Sequence, residues 1–214
     1  MNDVEFLPSP DATVVEEGRR DVAVVFVGDS YVVGYGDPKG QGWVTRVVGR
    51  TQHPDLDLTA YNLGVRGATS TEVLQRYRTE VPTRWAGRAE HRLVLCVGAH
   101  DVTSGISLAR HRLNLANILD DASNNGTAAF VVSPPPAADE SVNHKLAVLV
   151  EAQADVCSRR SIPFVNCFDP LLGHEQWVAE LASSRDGVHP GQVGYGLLAW
   201  LVLHNGWSTW LRLS

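Results

Sequence analysis

Residues Asp21–Ser30 read DVAVVFVGDS. Within this stretch, Val22–Val27 is almost continuously apolar and is followed at once by glycine, aspartate and serine. A strand that is apolar at nearly every position must be covered on both faces, which is typical of a central strand in a parallel sheet. The residues that follow it therefore lie at the carboxyl edge of the sheet, where open α/β sheets bind ligands.

Four further segments have the length and apolar content of strands, and longer helical patterns separate them. The other strands are predicted at Leu58–Asn62, Arg92–Val97, Ala128–Ser133 and Phe164–Asn166. The main helices are predicted near Gly42–Thr51, Ser70–Ala86, Leu108–Asn124, Glu140–Arg160 and Gly191–Asn205. This alternation is typical of βαβ units and predicts an α/β fold with a five-stranded parallel sheet.

The domain organisation follows from length and composition. The chain has 214 residues, of which 44% are hydrophobic and 20% are charged, as in ordinary globular proteins. Residues 1–20 carry acidic residues and two prolines where a secretory signal needs a basic segment and an apolar run. We therefore expect an N-terminal tail over residues 1–20, a single domain over residues 21–214 and a cytoplasmic location.

Charge and hydropathy limit the possible partners. The 24 acidic and 18 basic residues give a net charge of -6, which argues against a nucleic-acid backbone or an anionic membrane as the main partner. The longest apolar stretch, Gly196–Leu203, is far shorter than the roughly 20 residues that span a bilayer. We expect a small-molecule ligand, no nucleic acid and no stable membrane insertion, while the oligomeric state stays open.

Cysteines and tryptophans indicate packing. The three cysteines are odd in number and lack CxxC spacing, so we expect idle reduced thiols and neither a disulfide framework nor a zinc site. We expect core or packing roles for Trp43, Trp200, Trp207 and Trp210.

Ser30 is the candidate nucleophile. A serine between a strand and a helix can be held at the sheet edge with its hydroxyl exposed and its amide free. Its hydroxyl needs a histidine as base, and that histidine needs an acceptor to fix its tautomer. The segment Asp186–Pro190, DGVHP, supplies both: Asp186 lies three residues before His189 and can meet the imidazole Nδ1–H through a local turn.

Three other strand ends carry polar or glycine residues. They read Asn62-Leu63-Gly64, Gly98-Ala99-His100-Asp101 and Ser133-Pro134-Pro135-Pro136. The glycine-rich segment Gly34–Gly42 lacks the GK[ST] ending of a phosphate loop, so we expect it to admit an acyl chain or an alcohol beside Ser30. No pair of histidines has the spacing of metal ligands, such as HxH or HExxH.

Together and in this order, the motifs resemble those of the GDSL or SGNH hydrolase family of esterases and lipases. The resemblance extends from Val22 to about Leu203. GDS ends at Ser30, NLG ends at Gly64, GAHD falls where the family has GxND, and DGVHP carries Asp186 and His189.

The resemblance implies a flavodoxin-like three-layer α/β/α sandwich and hydrolysis of carboxylic esters through an acyl-enzyme, without metal or organic cofactor. It implies a triad of Ser30, Asp186 and His189. The backbone amides of Ser30 and Gly64 are then expected to donate to the oxyanion.

His100 departs from the family pattern because it replaces the asparagine whose side chain donates to the oxyanion. An imidazole can also donate, although with a different reach and direction. Asp101, which follows it, is expected either to anchor this loop or to cap a helix.

Several activities share such a triad. We expect a serine esterase acting on small or medium acyl groups. A thioesterase, a lysophospholipase, a deacetylase of sugars or natural products and an acyltransferase remain open. The substitution at His100 also leaves open a weakly active, ligand-binding member of the family.

Overall fold

The computed structural model describes residues 18–213, and within them five parallel strands form one sheet. The strands are β1 (Arg20–Gly28), β2 (Leu56–Gly64), β3 (Glu90–Cys96), β4 (Ala128–Val132) and β5 (Phe164–Val165). Their order in the sheet is β2-β1-β3-β4-β5. The predicted α/β fold with a five-stranded parallel sheet is confirmed.

Helices connect the strands and cover both faces of the sheet. The helices are α1 (Ser30–Val33), α2 (Gly42–Arg50), α3 (Ser70–Glu80), α4 (Pro82–Trp85), α5 (Ala99–Ser104), α6 (Leu108–Asn124), α7 (Glu140–Ser158), α8 (Phe168–Leu171), α9 (Glu175–Ser183), α10 (Gln192–Val202) and α11 (Ser208–Leu211). A kink at Asn205 and Gly206 separates α10 from α11.

The side chains of β1 alternate between two separate cores. Val22, Val24 and Phe26 pack with α1, α2, α9, α10 and α11 on one face. Ala23, Val25 and Val27 pack with α3, α4, α6 and α7 on the other. All six side chains are fully buried, so the sheet is the middle of three layers.

The strand order determines where a ligand site can form. The chain leaves β1 towards β2 on one side and returns to β3 on the other side, so β1 and β3 flank the point where the order reverses. Ligands of doubly wound folds bind outside the carboxyl ends of the strands at this point. Ser30 follows β1 and His100 follows β3, which places both residues at this crevice.

Some local predictions were wrong. The single helix predicted over Ser70–Ala86 is interrupted at Val81, because Pro82 has no N–H to continue α3 and instead begins α4. Trp200, whose expected role is packing near the C-terminus, stacks on His204 but is 55% exposed.

The expectations for the other three tryptophans and for the cysteines agree with the structure. Trp43, Trp207 and Trp210 are buried, and the three cysteines are buried free thiols. Most of the predicted tail, residues 1–17, lies outside the described residues, and β1 begins at Arg20.

Gly28 ends β1 where no side chain fits. A Cβ atom at this position would lie 2.0 Å from the carbonyl oxygen of Cys96 and 2.6 Å from Cγ2 of Val32. Cys96 belongs to the backbone of the neighbouring strand, so the clash cannot be relieved by rotating a side chain. The glycine of the GDS motif is therefore required for β1 and β3 to approach each other at the site.

We expect Gly28→Ala to lower the free energy of unfolding by about 3 kcal/mol, or to prevent folding, because the added methyl overpacks the junction of β1 and β3. Gly49→Ala is the matched control: nothing lies within 4 Å of the added methyl in α2. That variant should gain about 0.5–1 kcal/mol from helix propensity. Urea unfolding of both variants tests this expectation, and a Gly28→Ala protein as stable as the parent would contradict it.

Candidate active site

Ser30 begins α1 directly after β1. Asp29 caps the helix, since its side chain accepts a hydrogen bond from the Tyr31 amide at 3.0 Å. Gly34 ends the four-residue helix in the left-handed conformation. Among the described residues, the amide of Ser30 has no acceptor, as expected for the first residue of a helix.

Ser30, His189 and Asp186 form a continuous chain of hydrogen bonds. Nε2 of His189 lies 2.7 Å from Oγ of Ser30, and Nδ1 of His189 lies 2.7 Å from Oδ2 of Asp186. An ionised carboxylate only accepts, so Nδ1 carries a proton and donates it to Asp186. In the neutral imidazole, Nε2 then accepts a hydrogen bond from the hydroxyl group of Ser30.

Asp186 is held as a carboxylate. Burial alone would raise its pKa, but hydrogen bonds from the His189 amide, the His189 imidazole and the Val188 amide outweigh burial and lower the pKa to about 2. The two hydrogen bonds from the backbone amides are both 3.0 Å long. They close the local turn that the three-residue spacing predicts. Asp186 therefore orients His189 across the neutral pH range.

Two tyrosines, which the sequence did not single out, enclose the imidazole of His189. The ring of Tyr31 is tilted against it at 5.1 Å, and the ring of Tyr35 meets it edge-on at 5.0 Å. The hydroxyl of Tyr31 also donates to the carbonyl of Val188 at 2.9 Å. This hydrogen bond ties the loop of His189 to the helix of Ser30.

Gly64 and His100 lie on the strand ends that flank Ser30. The amide of Gly64 already donates to Oδ1 of Asn62 at 3.0 Å, and the side-chain amide of Asn62 donates to the carbonyl of Val32 at 2.7 Å. The imidazole of His100 lies against Gly67, with Nε2 3.7 Å from the position of a Cβ atom there.

Gly67 is a further residue of the site that the sequence analysis missed. It has a φ of +74°, which favours glycine, and its amide has no acceptor among the described residues. The GxxG spacing that it forms with Gly64 was the available signal.

Asp101 holds the start of α5, which contains His100, in place. It is fully buried, and it accepts hydrogen bonds from the Ser70 amide at 2.7 Å and from Nδ1 of His111 at 2.6 Å. Burial would raise the pKa of Asp101, but these hydrogen bonds lower it. Asp101 combines the two expected roles: it accepts a hydrogen bond from the first amide of α3, as a capping residue does, and its bond to His111 holds the segment after β3 in place.

Asp29 is a buried acid beside Ser30 whose burial the sequence did not indicate. Only 1% of its surface is exposed. Burial raises its pKa to about 7, the Tyr31 amide opposes this shift, and repulsion from Asp101 adds to it. Its neighbour Ser30 is thus placed next to a carboxyl that exchanges its proton near neutral pH.

A cleft of about 700 Å³ opens beside His189 and Asp186. The segments Val33–Gly40 and Ser183–Gly191 form most of its walls. The predicted role of the glycine-rich segment, to admit part of a ligand beside the site, is compatible with this position. A separate cleft of about 540 Å³ around Trp85 and His91 contains none of the predicted site residues.

Two features are absent from residues 18–213. No group of three or more histidine, cysteine, aspartate or glutamate side chains there is arranged to hold a metal ion. None of the helices in that range is long and apolar enough to cross a membrane.

Comparison with known proteins identifies relatives of this chain. The model of the GDSL-like Lipase/Acylhydrolase family matches residues 26–197. No curated protein matches the chain in sequence.

Solved structures share the fold at low sequence identity. An acetylxylan esterase from Geobacillus stearothermophilus is similar with a TM-score of 0.74 and 18% identity, over 92% of this chain and 99% of that chain. An alpha/beta hydrolase from the metagenome of Lake Arreo, Spain, is similar with a TM-score of 0.69 and 18% identity, over 86% of this chain and 94% of that chain. Structures of the Geobacillus enzyme described as catalytic mutants, with a serine or a histidine replaced by alanine, are also similar.

We expect the stability of the protein to fall as the buried Asp29 ionises. Because the pKa of Asp29 is about 7 when folded and about 4 when unfolded, the folded chain binds this proton more tightly. The stabilisation is therefore present at low pH and is lost as the pH rises through about 7. Asp29→Asn keeps an acceptor for the Tyr31 amide and removes the titration.

From pH 5 to pH 8, Asp29→Asn should gain about 2–3 kcal/mol in free energy of unfolding relative to the parent. Urea unfolding of both proteins at the two pH values measures this difference. A difference that does not change with pH would show that Asp29 does not titrate in this range.

Proposed function

The chain belongs to the GDSL-like lipase/acylhydrolase family and is an ester-hydrolysing enzyme, and from this premise we propose that Ser30 carries out the hydrolysis through an acyl-enzyme. The proposed substrates are carboxylic esters of small or medium acyl groups. The observation that carries the proposal is the unbroken chain of hydrogen bonds from Ser30 through His189 to Asp186.

In the proposed first step, Oγ of Ser30 attacks the acyl carbon and its proton passes to Nε2 of His189. Asp186 stabilises the resulting imidazolium through Nδ1–H. His189 then gives the proton to the departing alcohol oxygen. In the second step, water attacks the acyl group on Ser30, its proton passes through His189 back to Oγ, and the carboxylic acid leaves.

The Ser30 amide and the His100 imidazole are the proposed donors to the oxyanion. The Ser30 amide has no acceptor within residues 18–213, and it belongs to the residue that attacks. The His100 imidazole stands at the neighbouring strand end, where a donor can meet the charge that develops in the transition state.

Gly64 and Gly67 are the two candidates for a further amide donor. The Gly64 amide would have to exchange the Asn62 side chain for the oxyanion. The Gly67 amide has no such competitor among the described residues, and a Cβ atom at Gly67 would lie 3.7 Å from Nε2 of His100. The hydrogen bonds therefore favour Gly67 over Gly64.

The comparisons are compatible with a serine and a histidine in the proposed roles. In the Geobacillus esterase, a serine variant and a histidine variant are the ones described as catalytic mutants. At identities below 20%, this likeness concerns the fold, and the acetylxylan substrate of that enzyme is not transferred to this chain. Thioester hydrolysis or acyl transfer would use the same three side chains.

Ser30→Ala should lower kcat/KM by at least about 1000-fold on p-nitrophenyl esters from acetate upward, because no other group replaces the nucleophile. An organophosphonate probe should label Ser30 alone, as mapped by mass spectrometry. Ser104→Ala, at an exposed serine at the end of α5, is the matched control and should keep parental activity and labelling. Labelling of another serine, or persistent labelling in Ser30→Ala, would refute the assignment.

His100→Ala should lower kcat and kcat/KM together by about 100-fold and leave KM nearly unchanged, because the contact is made mainly in the transition state. His100→Asn, which supplies a carboxamide donor, should recover much of the activity. Steady-state kinetics on the best ester distinguishes a donor to the oxyanion from a residue that only shapes the pocket. If His100→Ala keeps its kcat and only raises KM, the side chain shapes the pocket and does not bind the oxyanion.

A further inference from the structure

Arg66 lies in the turn that connects β2 to α3, between Gly64 and Gly67. The amide of Val65 donates to the carbonyl of Gly28 at 3.0 Å, and the amide of Ala68 donates to the carbonyl of Val65 at 3.1 Å. These bonds fix the backbone of the turn against the end of β1, from which Ser30 follows. Arg66 itself is exposed.

The guanidinium of Arg66 is held next to His189 by Tyr35. Its Cζ atom lies 3.5 Å from the centroid of the Tyr35 ring, and that ring meets the His189 ring edge-on at 5.0 Å. A separation of 3.5 Å is close to van der Waals contact, so the guanidinium rests on the face of the ring. The stacking restricts the long arginine side chain to the neighbourhood of the proposed triad.

The guanidinium N–H groups of Arg66 have no acceptor in the part of the chain that the structure describes. Arg66 forms no hydrogen bond or ion pair with any residue of the range 18–213 that the structure describes. Stacking uses only the face of the guanidinium, while its donors lie in the plane. Three carboxylates that line the cleft already accept hydrogen bonds from other groups: Asp186 from His189, Asp37 from Arg46 and Glu180 from the Gly194 amide.

We propose that Arg66 binds a carboxylate of the substrate, so that the preferred substrates are esters that carry a carboxylate close to the ester bond. This inference rests on the proposed function and specifies its substrate class. A planar carboxylate can accept two parallel hydrogen bonds from a guanidinium, and stacking on Tyr35 has already restricted the side chain. The bound carboxylate takes no part in bond breaking: water still divides the ester into an acid and an alcohol.

The net charge of the chain does not favour anionic substrates. The net charge of -6 repels anionic ligands at long range. A preference for an anionic ester would therefore arise from a contact at the site and not from the general field of the protein. The alternative role of Arg66 is mechanical: it would support Tyr35 and, through Tyr35, His189.

The test compares esters that differ only in a carboxylate and its neutral amide. Para-acetoxybenzoate and para-acetoxybenzamide place the difference in the alcohol part. The mono-p-nitrophenyl ester of adipate and the corresponding terminal amide place it in the acyl part. The parent enzyme should prefer the carboxylate over the amide by about 10-fold in kcat/KM in at least one pair, and this preference should shrink as salt is raised.

Arg66→Gln should abolish the preference in that pair. Arg50→Gln, which removes an exposed arginine from the last turn of α2, makes the same change in net charge and should retain the preference. Absence of a preference in both pairs, or an equal loss on carboxylate and amide in Arg66→Gln, would overturn the inference. If the parent hydrolyses none of the four esters, both the proposed function and the role of Arg66 fail. If it hydrolyses only the two esters that carry a neutral amide group, only the role of Arg66 is refuted.

Discussion

The burial of β1 on both faces is the constraint on which the site depends. Six consecutive side chains of this strand are fully buried, alternately in two cores, so neither layer can move without the strand. At its end, the Gly28 carbonyl accepts hydrogen bonds from the Val65 amide at 3.0 Å and from Nη2 of Arg76 at 2.9 Å. The turn after β2 and helix α3 are thus both hydrogen-bonded to the carbonyl that ends β1, just before Ser30.

A buried polar network fixes the other side of the crevice. Asp101 connects the first amide of α3 with His111, and the Gln153 side chain joins His111 to the carbonyl of Val97 at the end of β3. All three of these side chains are fully buried, so each hydrogen bond acts where water does not compete. Asp101 and Asp29 respond differently to burial because Asp101 has an imidazole as a partner, whereas the backbone amides that face Asp29 do not outweigh burial and its pKa is raised.

The features that depend on short sequence patterns are the ones that the sequence predicted. The strands β1 and β3 follow from apolar runs, and the spacing of Asp186 and His189 forces their contact through a local turn. The short helices α8 and α9 were not predicted because their burial depends on packing against α7 and α10, respectively. The burial of Asp29 and the stacking of Arg66 on Tyr35 depend on distant segments that meet only in the folded chain.

The proposed mechanism requires a covalent acyl intermediate on Ser30. The most direct measurement mixes the enzyme with p-nitrophenyl acetate, quenches the reaction in acid at successive times within the first turnovers, and maps acetylated peptides by mass spectrometry. The account predicts a single acetylated peptide, the one that contains Ser30, whose amount rises and then falls as the ester is consumed. An acetyl group on a different residue, or release of both products without acetylation of Ser30 at any time, would contradict it.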